Sequence, residues 1–322
     1  MKSFTYDVAD DLASALTVLN NPRHELKAGG IDLLDRLKER LDEPDRIVSI
    51  NNITELRGIR QEGNSLHIGC LTTLADIGRS EVIRDRFSAL HHLAGGAATP
   101  QVRELATLGG NLCQRPRCWY FRSHDFNCLK KGGGTCYAVE GDNRYHAVIA
   151  GGPCHIVHPS NCAPALLAAD AELVIENRQG RRTIKADDFF KLPRQSMYAE
   201  HVLDIGEVLV EVVIPALPTQ SASIELREKQ SFDWPIAMAA VARVGGRWRV
   251  CLGAVAPIPW LSRPAMDVLG SWDVTPDLAA EAGEAAASEA EPMSHNVYKV
   301  QLIKVAVKRA LLAAANMKEA DS

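Results

Sequence analysis

The chain has 322 residues, of which 46% are apolar and 24% charged, and a formal net charge of −4. Those values are ordinary for a soluble globular protein, and the absence of a dominant basic stripe argues against nucleic acid as the main partner. No window approaches the roughly 18 apolar residues of a membrane span, and acids occupy the N-terminal stretch where an export signal needs an apolar core. The length predicts two domains, each with its own core. A chain with no export signal of its own is expected in the cytoplasm, or in the periplasm if a signal-bearing partner carries it there.

Residues 1–58 read as strand, helix, strand, helix, strand, the pattern of a small parallel unit. SFTYDV leads into a helix capped around Asp10 and Asp11, and ELKAGGIDLLDRLKERL is a strand entering a Gly-Gly turn and a helix. RIVSI (46–50) is a compact apolar strand. LRGIRQEGNSLHIGCL then reads as a hairpin turning at Glu62-Gly63-Asn64, followed by a helix around LADIGRSEVIRDRFSALHHLAGG. A second Gly-Gly lies in TLGGNL (107–112). CAPALLAADAELVIENRQGRRTI gives a short helix and a strand turning at Gln179-Gly180.

PALPTQSAS (215–223) has the Pro and Ser punctuation of a linker and marks the expected domain boundary. Beyond it, three strands with a Gly245-Gly246 hairpin predict a three-stranded antiparallel sheet. Two helices follow, near 276–291 and over 296–316. In the second, Val300, Ile303, Ala306, Val307, Ala310 and Leu311 make one apolar face.

Four of the eight cysteines, Cys118, Cys128, Cys136 and Cys154, fall within 37 residues. Their segment is loop-like, broken by Gly132-Gly133-Gly134 and Gly151-Gly152-Pro153, and a loop this long in a compact domain is functional or disordered. Gathered thiolates suit soft metals and iron–sulfur clusters. The spacings of nine, seven and seventeen intervening residues match neither paired zinc C-x₂₋₄-C units nor the bacterial ferredoxin run, so spacing leaves the metal open. His124, His146, His155 and His158 could supply a ligand in place of one thiolate, although a loop histidine is more often a surface residue, which is the reading preferred for them. Cys70 and Cys251 lie in strand-like runs and are expected to be buried thiols.

Gly pairs let backbone approach a ligand closely, and turns of this kind before a helix hold phosphate oxygens on their N–H groups. Neither pair is a G-x-G-x-x-G fingerprint or a P-loop. Two in one domain, beside a cysteine loop, point to a dinucleotide.

The start MKSFTY, the loops AGGIDLL and ATLGGNL, IGCLTTLADI and HPSNCAPALLAADAEL together resemble the FAD-binding (medium) subunits of the molybdenum hydroxylases, the xanthine dehydrogenase and aldehyde oxidoreductase family. The resemblance covers nearly the whole chain. It implies an α+β architecture: a two-subdomain FAD-binding fold of the vanillyl-alcohol-oxidase (PCMH) type over 1–218, divided near 58/59. A small C-terminal flavoprotein domain would occupy 219–322. The insert, 114–158, is similar to the [4Fe-4S] insert of 4-hydroxybenzoyl-CoA reductase, above all in CLKKGGGTC, and of a periplasmic aldehyde oxidoreductase. By that resemblance Cys118, Cys128, Cys136 and Cys154 would hold the cluster.

By the same resemblance Lys27, Ala28, Gly29, Gly30, Ile31, Asp32 and Leu33 would hold the FAD pyrophosphate, and Thr107, Gly109, Gly110 and Asn111 would form a second wall. Ile31 stands where the family commonly has Thr. Asn161 replaces a frequent Asp facing the flavin, and Arg227 a common Lys near it. The implied partners are a large molybdopterin subunit, a small subunit with two [2Fe-2S] clusters, and an external acceptor or donor such as ferredoxin, NAD, quinone or O₂. The expected role is electron transfer between the [2Fe-2S] clusters and that acceptor, with substrate chemistry in the large subunit. The alternatives are the flavin subunit of an aromatic acyl-CoA reductase running electrons toward molybdenum, and a zinc-stabilised scaffold module.

Overall fold

The structure, a computed structural model, describes residues 1–230 and 232–317. The N-terminal unit is a three-stranded parallel sheet, β1 (Thr5–Val8), β2 (His24–Lys27) and β3 (Arg46–Ser49), in the order β1-β3-β2. Its helices, Leu12–Val18 and Ile31–Lys38, are the crossovers that parallel strands require. Asp11 caps the first, its carboxylate accepting from Ser14 N–H at 2.7 Å.

The second unit is a five-stranded antiparallel sheet of β4 (Ile59–Glu62), β5 (Ser65–Gly69), β6 (Glu172–Asn177), β7 (Gly180–Lys185) and β8 (Val208–Ile214), ordered β4-β5-β8-β6-β7. Both expected hairpins are present, β4–β5 across Gly63 and β6–β7 across Gly180. The long helix expected after β5 is three: Leu74–Arg79, Glu81–Arg86 and Ser88–Gly96. Ser80 leaves the helical region to cap the second, and Phe87, wholly buried, turns the chain before the third.

The C-terminal sheet has four strands, one more than expected: β9 (Gln220–Leu226), β10 (Ala237–Val244), β11 (Arg247–Gly253) and a two-residue β12 (Trp260–Leu261), ordered β12-β11-β10-β9. The segment read as a linker is only partly one, since β9 begins inside it and pairs with β10. The helix near 276–291 ends at Ala287, and the last runs Tyr298–Ala314 with Ile303, Ala306, Val307, Ala310 and Leu311 buried. Cys70 and Cys251 are buried thiols. No helix among the described residues is long and apolar enough to cross a membrane.

Strand periodicity explains how the units join. Ala237, Ala239 and Val241 of β10 face the core under the C-terminal helices, whereas Met238, Ala240 and Ala242 face the core of the second unit. One strand thus seals two cores.

The insert is mostly irregular and is clamped from the C-terminal side. Asn296 Nδ2 donates to the carbonyls of Asn143, His146 and Ala147, and Asn143 Oδ1 accepts from His295 N–H at 2.9 Å. Lys299, wholly buried, donates from Nζ to the carbonyls of Tyr145, His146 and Ala254 at 3.2, 3.0 and 2.8 Å. Three acceptors match the three donors of an ammonium. Lys299→Met keeps the bulk and leaves these carbonyls unpaired, so it is expected to destabilise the chain by about 2–4 kcal/mol in urea unfolding. An unchanged midpoint would show that this clamp contributes nothing.

Candidate functional site

A cleft of about 760 Å³ lies at the meeting of the first two units, a volume typical of cofactor sites. Its wall includes Ala28 to Leu33 from the β2-to-helix turn, Thr107, Gly109, Gly110 and Asn111 from the second Gly-Gly loop, and Asn161. Eleven of the thirteen residues assigned to the flavin from sequence therefore share one cavity; Lys27 and Arg227 stand outside its lining. Lys27 Nζ donates to Ala28 O at 3.4 Å, and Arg227 pairs with Glu225.

Local geometry explains both Gly-Gly loops. Gly30 has φ +81° and caps the helix Ile31–Lys38 without a side-chain hydrogen bond, leaving first-turn N–H groups open toward the cleft. Gly29 lies so near the segment before the second loop that a Cβ there would stand 1.8 Å from Leu105 O. The second loop is different. Gly109 N–H donates to Cys70 O and Gly110 N–H to Thr107 Oγ1, while Asn111 Oδ1 accepts from Ser160 Oγ at 2.6 Å. The backbone N–H groups of Leu108 to Asn111 are thus spent within the protein, so this stretch of backbone acts as a wall.

Asp32 does more than its backbone suggested. Its carboxylate accepts from Arg115 N–H at 3.0 Å and meets Arg117, Arg122 and Arg36 at 3.0, 2.8 and 3.3 Å. Burial pushes this carboxyl up, but Arg117, Arg36, the Arg115 N–H and Arg122 outweigh it and hold it below the usual range. Glu200 repeats the device. Lys130 and Arg115 reach it at 2.6 and 3.1 Å, and they too overcome burial to hold its carboxyl low. Sequence inspection missed both hubs, although the run Arg115, Arg117, Arg122 signalled a demand for carboxylates.

Because both folded values are depressed, the unfolded chain binds these protons more readily. Their contribution is complete above the ordinary carboxylate pKa of about 4 and is lost as pH falls through the lower folded values. Urea midpoints measured from pH 7 to 3 are expected to hold above that pKa and drop below it, with a shallower drop in Asp32→Asn. An identical acid profile in the variant would contradict the Asp32 contribution.

The insert gathers its cysteines around an aromatic cluster in which Trp119 and Tyr120 pack on His146 with ring centroids 5.2 and 5.8 Å apart. Cys118 Sγ lies 3.2 Å from His146 Nε2. Burial pushes the Cys118 thiol up to about 11, and its surroundings include Cys136 and Cys128. The Cys154 thiol donates to Cys136, which lowers the Cys136 thiol and raises that of Cys154. Of the loop histidines expected on the surface, His146 and His158 are buried: each packs edge-on to aromatic rings. Among the described residues, no three His, Cys, Asp or Glu side chains are grouped tightly enough to hold one metal ion.

The loop between β9 and β10 also reaches the cleft. Phe232 and Trp234 line it, and Arg117 of the insert lies over the Trp234 ring at 5.2 Å.

Comparison with known proteins agrees with this geometry. Residues 2–217 match the FAD binding domain in molybdopterin dehydrogenase, and residues 225–314 match the CO dehydrogenase flavoprotein C-terminal domain. The chain is 31% identical to the aldehyde oxidoreductase FAD-binding subunit PaoB of Escherichia coli K12, over 94% of this chain and 96% of that one. It is 30% identical to the carbon monoxide dehydrogenase medium chain of Hydrogenophaga pseudoflava, over 97% and 96%. A solved carbon monoxide dehydrogenase from that organism superposes with a TM-score of 0.75 at 29% identity, covering 97% of this chain and 96% of the other. With two-domain matches of this extent, the chain belongs to the FAD-binding medium subunits of the molybdenum hydroxylases.

Proposed function

We propose that this chain is the FAD-bearing electron-transfer subunit of a molybdenum-hydroxylase complex and carries a [4Fe-4S] cluster on Cys118, Cys128, Cys136 and Cys154. The observation that carries the flavin part is the cleft: both Gly-Gly loops line it, and the first packs on the segment leading into the second at a separation that only a glycine at position 29 permits. When bound, FAD supplies two-electron storage and one-electron exchange with iron–sulfur partners. The chain's own residues bind and orient it. Backbone N–H groups at Gly30 to Leu33 receive the pyrophosphate at a helix N-terminus, Thr107 to Asn111 wall its other side, and Asn161 meets the remaining polar part. Arg227 acts from behind through Glu225.

The donor set suits a cluster better than a single ion. A tetrahedral ion needs its ligands around one centre, whereas a four-iron cluster ties each thiolate to a different iron and spreads them. Cys136 and Cys154 are in contact, Cys118 lies near Cys136 and Cys128, and among the described residues no three of these thiols converge on one point. In the complex, electrons would pass between the [2Fe-2S] clusters of a small partner subunit and an external acceptor, with substrate oxidised on the large molybdopterin subunit.

Iron and acid-labile sulfide analysis of the anaerobically purified chain tests the cluster. About four irons per chain are expected, and essentially none in Cys128→Ser. Zinc in place of iron, or iron unaffected by the substitution, would overturn this assignment.

A further inference from the structure

Asn161 occupies a position with two unusual properties. It is the N-cap of the helix Cys162–Ala168, yet its side chain caps nothing; Ser160 Oγ accepts from Ala163 N–H instead, at 3.0 Å. It is 7% exposed and lines the cleft. Its Nδ2 donates to Glu225 Oε1 at 2.6 Å, and an ionised carboxylate only accepts, so the orientation of the amide is fixed by chemistry. Among the described residues nothing donates to Asn161 Oδ1, which is not sealed inside the protein, and the residue that carries it lines the cleft.

Glu225 is itself held. Its side chain is 5% exposed, and Arg227 donates to the other carboxylate oxygen, Oε2, while also donating to Gly96 O at 3.3 Å. Alternation along β9 aims Ser221, Ser223 and Glu225 to one side, where the two serines meet Ser88, Ala89 and His92 of the helix Ser88–Gly96. The third position of this row is therefore built into the wall behind the cleft.

We infer that Glu225 is a positioning residue that locks the Asn161 amide with its carbonyl oxygen facing the cleft, where it accepts a hydrogen bond from an N–H or O–H of the bound flavin. This rests on the flavin reading of the cleft. Arg227 gives the arrangement its direction: it claims one carboxylate oxygen and leaves the other for Asn161. An amide at 225 would obey the same constraint, turning its oxygen to Arg227 and its NH₂ to residue 161. Asn161 would then rotate and present NH₂, a donor, to a ligand that needs an acceptor.

The test is a polarity swap read by fluorescence titration of FAD onto the flavin-depleted chain and by the absorption spectrum of the bound flavin. Glu225→Gln is expected to weaken FAD binding at least about tenfold, the consequence of setting donor against donor. Asn161→Asp sets carboxylate against carboxylate and is expected to weaken it as well. The double variant restores charge and complementarity, because the new amide at position 225 can donate to the new carboxylate at position 161, whose second oxygen stays on the cleft. It is expected to return to within about threefold of the parent affinity, well inside one hydrogen bond's worth, and to the parent spectrum. Unchanged affinity and spectrum in Glu225→Gln would overturn the inference. Loss in the single variants without recovery in the double would also overturn it, showing a merely structural role. Failure of the parent chain to bind FAD would refute the flavin reading itself, a separate result.

Discussion

Replacing Gly29 by alanine is expected to yield a folded chain that loses its flavin. The added Cβ would sit 1.8 Å from Leu105 O and 2.8 Å from Leu105 C, both backbone atoms that cannot swing aside. The second loop cannot retreat, because Ala106 O accepts from Leu74 N–H at 2.8 Å and Leu108 N–H donates to Thr72 O at 2.9 Å. The first loop must therefore move, carrying with it the N–H groups at the start of the helix Ile31–Lys38. Overpacking of this kind costs about 1–3 kcal/mol, and if it falls on binding the FAD affinity drops roughly 10- to 100-fold. Gly134→Ala is the control, since a Cβ added there would meet nothing within 4 Å. Flavin-to-protein ratio and a fluorescence titration read the effect. Full flavin content in Gly29→Ala would contradict the close-approach argument.

Glu200→Ala is expected to be among the most destabilising single changes in the chain. Lys130 and Glu200 are 1% and 5% exposed and meet at 2.6 Å, with Arg115 on the same carboxylate at 3.1 Å. Lys130 also donates to Met197 O at 2.8 Å. Removing the carboxylate leaves a buried ammonium without a counter-charge and deprives Arg115 of its shorter ion pair, which costs about 3–5 kcal/mol. Lys130→Met is expected to cost less, because Arg115 still neutralises Glu200. Urea unfolding of the two variants checks the order. A smaller loss in Glu200→Ala than in Lys130→Met would show that the pair contributes otherwise.

Parts of this architecture were legible because their signals are local. The strand–helix alternation of residues 1–58 and the turns at Gly63 and Gly180 follow from periodicity and φ freedom, and they are where expected. The two Gly-Gly loops announced a cleft because only glycine tolerates such approach. Long-range facts left no local trace. The fourth strand β12 is two residues and exists only by pairing with β11. Nothing in the local pattern around Ser80 distinguished one long helix from three, since Ser is tolerated within helices and capping depends on the turn that surrounds it. The partners of Asp32, Glu200 and Glu225 are brought together by the fold: Glu225 meets Asn161 from 64 positions away, and Glu200 meets Lys130 from 70. The family resemblance set Asn161 where an Asp faces the flavin and Arg227 where a Lys lies near it; that the two are joined through Glu225, which accepts from both, only the fold shows.

The most direct test of the central claim is the flavin content of the purified chain, released by denaturation and identified by chromatography. About one FAD per chain is the expected result for a subunit whose protein part binds and orients that cofactor. A chain isolated without flavin, and unable to take up added FAD, would contradict the account.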